Sequence, residues 1–196
     1  MDSVPDGRSG RSIVEQDLVL AAQRGDSAAF VELLRPRIDG LFALSHRILR
    51  DVDGAEDALQ DALVVIWRDL RSLRDPARFD AWLHRVVVRE CIDDASRERR
   101  RIAHVRALPN DEPTAPDGLL TLADRDQIER GLQRLTAEQR AILALHHYAG
   151  YEPTEIAGLL GIAPGTARSR LHRAHRAMRA ALDADARLTV VRGRSA

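Results

Sequence analysis

The chain has 196 residues, enough for one ordinary domain or two small ones with a real core. Its 30 basic residues, all arginine, balance 30 acidic ones, so net charge selects no partner and electrostatic arguments rest on local distribution. One cysteine, Cys91, excludes an internal disulfide framework and a CxxC zinc pair, and no apolar run is long enough to cross a bilayer. "MDSVPDGRSGRS" lacks the apolar stretch of a signal peptide, so the reading is a soluble cytoplasmic protein with a loose N-terminal tail over 1–14.

Apolar residues recur at three- and four-residue steps, with no sustained alternation of period two, so the fold class is all-α. The first helices are expected over 15–24 and 27–49, separated by Gly25-Asp26, and an apolar stripe begins at Phe30. The next, over 54–70, lies in "DVDGAEDALQDALVVIWRDL", where six acids face one arginine for a local balance of −5. Ala55, Ala58, Leu59, Ala62, Ile66 and Leu70 form its inward stripe. Glu56, Asp57, Gln60, Asp61, Val64 and Trp67 fall on the other side or its edges, and a large apolar group beside carboxylates is the composition of a partner-binding patch. Trp67 is either part of that patch or part of the core. The repeated carboxylates meet no converging polar groups, which leaves acid–base catalysis without a site.

A fourth helix is expected over 80–100, after a loop that carries Arg74, Arg78 and Phe79. Trp82, Val86 and Val87 share an apolar face, so Trp82 reads as a core anchor. Arg85, Arg89, Arg97 and Arg99 to Arg101 follow on the helix or at its end; alone, "RERRR" reads as a solvated terminus.

"ALPNDEPTAPDG" then interrupts the helical pattern with three prolines, and marks a flexible linker over 105–119. It separates two small helical domains, 15–104 and 120–183, with a C-terminal tail over 184–196. The second domain is expected to hold helices over 120–135, from "TAEQ" onward, over 153–160 and over 164–182. In "TAEQ", Thr136 can accept from the amide of Gln139, whose side chain reaches back.

The last two helices have the layout of a helix-turn-helix: a short helix, a Gly161-Ile162-Ala163 turn and a second helix opened by Pro164. Ala157 is small where the helices cross, Gly161 can adopt the left-handed conformation that ends the first, and Ile156, Leu160 and Ile162 fill the core beneath. Ala167, Leu171, Ala174 and Met178 form the buried stripe of the second helix. Its outward face is basic, with Arg168, Ser169, His172, Arg173 and Arg176 placed where a DNA major groove would receive them. Between Gly161 and Ala196, eight arginines stand against two aspartates, a local excess of +6. His172 and His175 are spaced to share a metal, but no second cluster of ligands accompanies them, and no metal or cofactor is expected.

Several of these stretches carry a family resemblance. "YEPTEIAGLLGIAPGTARSRLHRAHRAMR" resembles region 4 of bacterial extracytoplasmic-function (ECF) sigma factors of the sigma-70 family, with its EIA helix, glycine turn and GTxxSRLxRA run. Ala55-Glu56-Asp57, Gln60-Asp61 and Trp67 match the AEDxxQDxFxxxW pattern of region 2.2, with Leu63 or a neighbour in place of the phenylalanine. Phe79, Trp82 and Leu83 match the F-x-x-W-L signature of regions 2.3 and 2.4, and the stretch before the acidic helix resembles region 2.1 and is mainly scaffold. The resemblance spans about 15–182.

It implies a dissociable, non-catalytic specificity subunit that directs core RNA polymerase to promoters. The acidic helix, through Glu56, Asp57, Gln60, Asp61, Val64 and Trp67, would dock on the β′ coiled coil, with the β flap as a second polymerase contact. Arg168, Ser169, His172, Arg173 and Arg176 would read the minus 35 element. Arg74, Arg78, Phe79, Arg85, Arg89, Arg97 and Arg100 would engage the minus 10 element, where an unstacked base needs a pocket, a stacking surface and cations for the strand. Arg89 stands where the family often has asparagine, so no minus 10 base preference carries over. An anti-sigma factor is the further partner the resemblance implies. A stand-alone dimeric regulator would leave the acidic helix unexplained, and a hydrolase or phosphotransfer enzyme would lack its phosphate loop, metal pair or nucleophile elbow.

Overall fold

A computed structural model describes residues 7–106 and 123–193, and its described residues form helices and turns with no strand. The expected linker lies outside them from residue 107 onward, as do residues 1–6 of the expected N-terminal tail, residues 120–122 of the expected fifth helix and 194–196 of the C-terminal tail. The backbone divides into two compact units, one of Met1–His46 with Asp51–Cys91, the other of Arg47–Arg50 with Ile92–Ala196.

The first unit is built on α1 (Gly7–Gln23), α2 (Ser27–Leu34), most of α3 (Ile38–Leu49), α4 (Val52–Asp69) and the N-terminal part of α5 (Phe79–Arg106). Asp26 caps α2 by accepting from the amides of Ala28 and Ala29 at 2.9 and 3.1 Å, while Gly25 turns the chain at φ +100°. The single helix expected over 27–49 is two helices. Pro36 has no N–H to return to the carbonyl of Glu32 and its ring crowds that carbonyl, so the chain turns through Arg35-Pro36-Arg37 and restarts at Ile38. Asp51 caps α4 by accepting from Gly54 at 2.7 Å.

The inward stripe of α4 is as expected: Ala55, Ala58, Leu59, Ala62 and Ile66 are buried, with Leu70 just beyond the helix. Val19, Leu33, Leu41 and Leu44 from α1 to α3 and Leu83 and Val87 from α5 complete this core. Truncation of Leu33, Leu44 or Ile66 to alanine costs about 2–5 kcal/mol, because the pocket can close only in part.

The second unit holds α6 (Ala123–Gln133), α7 (Ala137–His147), α8 (Pro153–Leu160) and α9 (Pro164–Gly193). The α7 capping box is formed, with Thr136 Oγ1 accepting from the Gln139 amide at 3.2 Å and Gln139 Oε1 from the Thr136 amide at 2.9 Å. Gly161 ends α8 at φ +67°, and the Ile162 amide donates back to the Ala157 carbonyl at 3.0 Å. Ile156, Ala157 and Leu159 are buried under this turn; Leu160 and Ile162, expected there, are only half-buried. On α9, Ala167, Leu171, Ala174 and Ala181 are buried and Met178 is half-buried. The helix runs eleven residues past the expected end at 182, through most of the expected tail.

α9 packs on α6, α7 and α8. It meets α6 at the buried Gly131, where a Cβ would lie 3.1 Å from Leu182 Cδ2 and 3.1 Å from Met178 Cε. Glycine at this point lets the helices meet backbone to side chain.

Candidate functional site

In the first unit, the face of α4 opposite the core presents Glu56, Asp57, Gln60 and Asp61, all exposed. Val64 is 66% exposed and Trp67 42% exposed at the C-terminal end of the same face. The sequence left Trp67 between core and patch. It is both: its indole meets Phe30 of α2 edge to face, with ring centroids 4.8 Å apart, while the rest faces solvent. Val31 of α2 is 52% exposed as well. Val64 and Trp67 thus give this acidic face an exposed apolar edge.

The segment from α4 to α5 runs through two 3-10 turns, Leu70–Ser72 and Pro76–Arg78, and exposes Arg74 and Arg78. Asp75 caps the second turn by accepting from the Ala77 amide at 3.1 Å and pairs with Arg78 at 3.9 Å. Phe79, expected to offer a surface to DNA, is only 1% exposed and its ring stacks on that of Trp82, 6.3 Å away. It seats the start of α5 in the core and presents nothing to a base. Trp82 is a core anchor, as expected. Arg85 and Arg89 are exposed one helical turn apart on α5, beyond this junction.

Two residues that the sequence reading treated as scaffold hold this segment. The side-chain amide of Gln23 donates to the carbonyls of Leu70 and Leu73 at 3.0 and 2.7 Å, and Arg71 Nε donates to the Gln23 carbonyl at 3.0 Å. Arg37 donates to Asp80 and to Glu15, reaches the Leu33 carbonyl at 2.8 Å, and lies 5.4 Å over the Phe79 ring. Only the composition of the Arg35-Pro36-Arg37 turn hinted at a special position.

In the second unit, Arg97 and Arg100 are exposed on the remainder of α5, with Arg97 3.3 Å from Asp94. On α9, Arg168, Ser169, His172, Arg173 and Arg176 are all exposed, opposite the buried stripe. Ser169 Oγ donates to the Thr166 carbonyl at 3.0 Å and Arg173 Nε to the Ser169 carbonyl at 3.3 Å, so both rest against the helix they serve. Arg170, absent from the expected set, joins Arg173 in lining a cleft of about 290 Å³ with Glu138, Gln139 and Ile142 of α7.

His175 turns toward α7. Its Nε2 lies 2.8 Å from that of His147 on α7, a bond in which one imidazole donates and the other accepts. Burial, then the neighbouring His147, His146 and His172 and the Arg179 guanidinium, hold its pKa below the ordinary imidazole value. Among the described residues no group of three or more His, Cys, Asp or Glu is placed to hold a metal.

Two helical units, one with a helix-turn-helix whose second helix is basic, define the class of two-domain all-α proteins built around a helix-turn-helix. The models for sigma-70 region 2 and sigma-70 region 4 match residues 31–101 and 125–178. The chain is 38% identical over 176 residues to the ECF RNA polymerase sigma factor SigM of Mycobacterium tuberculosis, covering 86% of this chain and 83% of that one. It is 34% identical over 170 residues to SigL of the same species, covering 83% and 96%. The fold is similar to that of the sigma factor RpoE of Bartonella quintana, solved with the anti-sigma factor NepR, at a TM-score of 0.62 and 24% identity over 80% of this chain and 98% of that one. It is likewise similar to CnrH, solved with the cytosolic domain of CnrY, at a TM-score of 0.60 and 24% identity over 87% and 98%.

The chain belongs to the ECF sigma factors of the sigma-70 family. It acts with RNA polymerase in promoter-specific initiation of transcription.

Proposed function

We propose that the two units divide this work between them. The exposed face of α4, with Glu56, Asp57, Gln60, Asp61, Val64 and Trp67, docks on the β′ coiled coil of core polymerase, and the β flap is a second contact. The outward face of α9, with Arg168, Ser169, His172, Arg173 and Arg176, reads the minus 35 duplex, where arginine pairs bidentately with guanine or phosphate. Arg74 and Arg78, with Arg85, Arg89, Arg97 and Arg100, hold the minus 10 strand as it opens; Phe79 anchors the start of α5 next to Arg78. The domains are 15–104 and 120–183, joined by the linker over 105–119.

The observation that carries this reading is the separation of charge: an acidic helix with an apolar edge in one unit and a basic helix-turn-helix in the other. A protein that only bound DNA would have no use for the first. The protein performs no chemistry itself, works in the cytoplasm and is held by an anti-sigma factor; the similar sigma factor RpoE was solved with an anti-sigma factor, and the similar CnrH with the cytosolic domain of CnrY. Run-off transcription with purified core polymerase on the DNA upstream of its own gene tests the reading. Initiation that needs both protein and core supports it, whereas tight specific DNA binding by the free protein with no initiation would replace it with a stand-alone regulator.

A further inference from the structure

The segment between α4 and α5 has little regular structure of its own beyond two 3-10 turns, yet its course is fixed at both ends by side chains that precede it in the chain. At its start, the one side-chain amide of Gln23 spends both N–H groups on it, reaching the Leu70 and Leu73 carbonyls at 3.0 and 2.7 Å. These are carbonyls at the end of a 3-10 turn, which lack partners in the turn itself apart from the Leu73 amide on Leu70 at 3.1 Å. Arg71 closes the arrangement in the other direction, on the Gln23 carbonyl at 3.0 Å.

At the far end, Arg37 holds Asp80 on the first turn of α5 and covers the ring of Phe79. Arg37 is itself fixed by Glu15 and by the Leu33 carbonyl at 2.8 Å, and its side chain is only 19% exposed. Between the two grips stand the exposed Arg74 and Arg78, with Asp75 stiffening the stretch through the Ala77 amide.

We infer that Gln23 and Arg37 are positioning residues for promoter opening: they set the path of residues 70–80 so that Arg74 and Arg78 meet the minus 10 strand without a search through loop conformations. The inference rests on the assignment of Arg74 and Arg78 to that strand. Neither positioning residue needs to touch DNA. A site held by a pre-set frame discriminates between bases because a wrong base cannot recruit a rearranged loop, whereas a slack loop accommodates several.

The test uses the full-length protein with core polymerase, on a promoter that supports run-off transcription and on copies carrying single-base changes in the minus 10 element. Gln23→Met keeps the size of the side chain and removes both donors; Arg37→Lys keeps the charge and removes the planar fork. Each variant is expected to lower the ratio of transcription from the parent promoter to that from the altered copies about fivefold or more, with core polymerase affinity unchanged. A purely structural role would lower output on every template alike and leave the ratio where it was. Arg74→Ala and Arg78→Ala serve as the reference. If they change the ratio and Gln23→Met and Arg37→Lys do not, the positioning role is wrong; if the arginine variants also leave it unchanged, the minus 10 assignment falls and takes this inference with it.

Discussion

Trp67 and Val64, compared with each other, separate folding from docking. A tryptophan side chain presents about 250 Å², and at 42% exposure roughly 100 Å² of it faces outward by the same measure. Burial of that area against a partner contributes about 2.5 kcal/mol, which corresponds to about 60-fold in affinity. The inward part covers about 150 Å², and its loss together with the edge-to-face contact to Phe30 costs the fold about 4 kcal/mol. Trp67→Ala therefore moves both quantities. Val64→Ala moves one: the side chain is 66% exposed, so the fold loses under about 0.5 kcal/mol, while two thirds of two methyl groups makes about 1 kcal/mol of docking, or about fivefold. The assays are urea unfolding by circular dichroism for the fold and fluorescence anisotropy of the labelled protein with core polymerase for assembly. Wild-type assembly by both variants, under conditions where both are folded, would refute the assignment of this face.

Arg168→Ala or Arg173→Ala should weaken minus 35 recognition with core polymerase binding intact, measured by footprinting and anisotropy on the same preparation. Asp57→Arg combined with Asp61→Arg should do the reverse, giving a folded protein that fails to assemble with core. Gly161→Ala should lower stability in urea by about 1–2 kcal/mol, since nothing crowds the added methyl group and the cost is the left-handed backbone alone. His84 and His175 both have pKa values depressed chiefly by burial, so the folded protein binds fewer protons than the unfolded chain. Their contribution is complete above the ordinary value of 6.5 and is lost as the pH falls below it through the folded values. Urea midpoints should fall on acidification through that window, and His175→Gln should flatten the fall.

What could be read along the chain was whatever depends on neighbours in sequence. The stripe of α4, the capping box at Thr136 and Gln139, and Gly161 and Pro164 around the helix-turn-helix all follow from spacing and local backbone preference. The break at Pro36 was legible too, but the apolar pattern continues across it and hid the turn. Phe79 misled because an aromatic beside arginines suggests stacking, while its burial depends on Arg37 covering its ring from elsewhere in the fold and on Trp82 stacking against it one turn along α5. Gln23 could not be found at all: its partners lie 47 and 50 residues away and are carbonyls, which every residue possesses. Position rather than residue type creates that site.

Gly131 bears on how such proteins diversify. Because a Cβ at Gly131 would lie 3.1 Å from both Met178 and Leu182, the pitch of α9 depends on how these two side chains seat on α6. A graft that transplants the reading face of α9 from a relative onto this chain keeps its aim only when the residues facing Gly131 come with their own α6. On the proposal that α9 reads the minus 35 duplex, the exchangeable cassette for promoter preference is therefore the whole α6–α9 block and not the recognition helix alone.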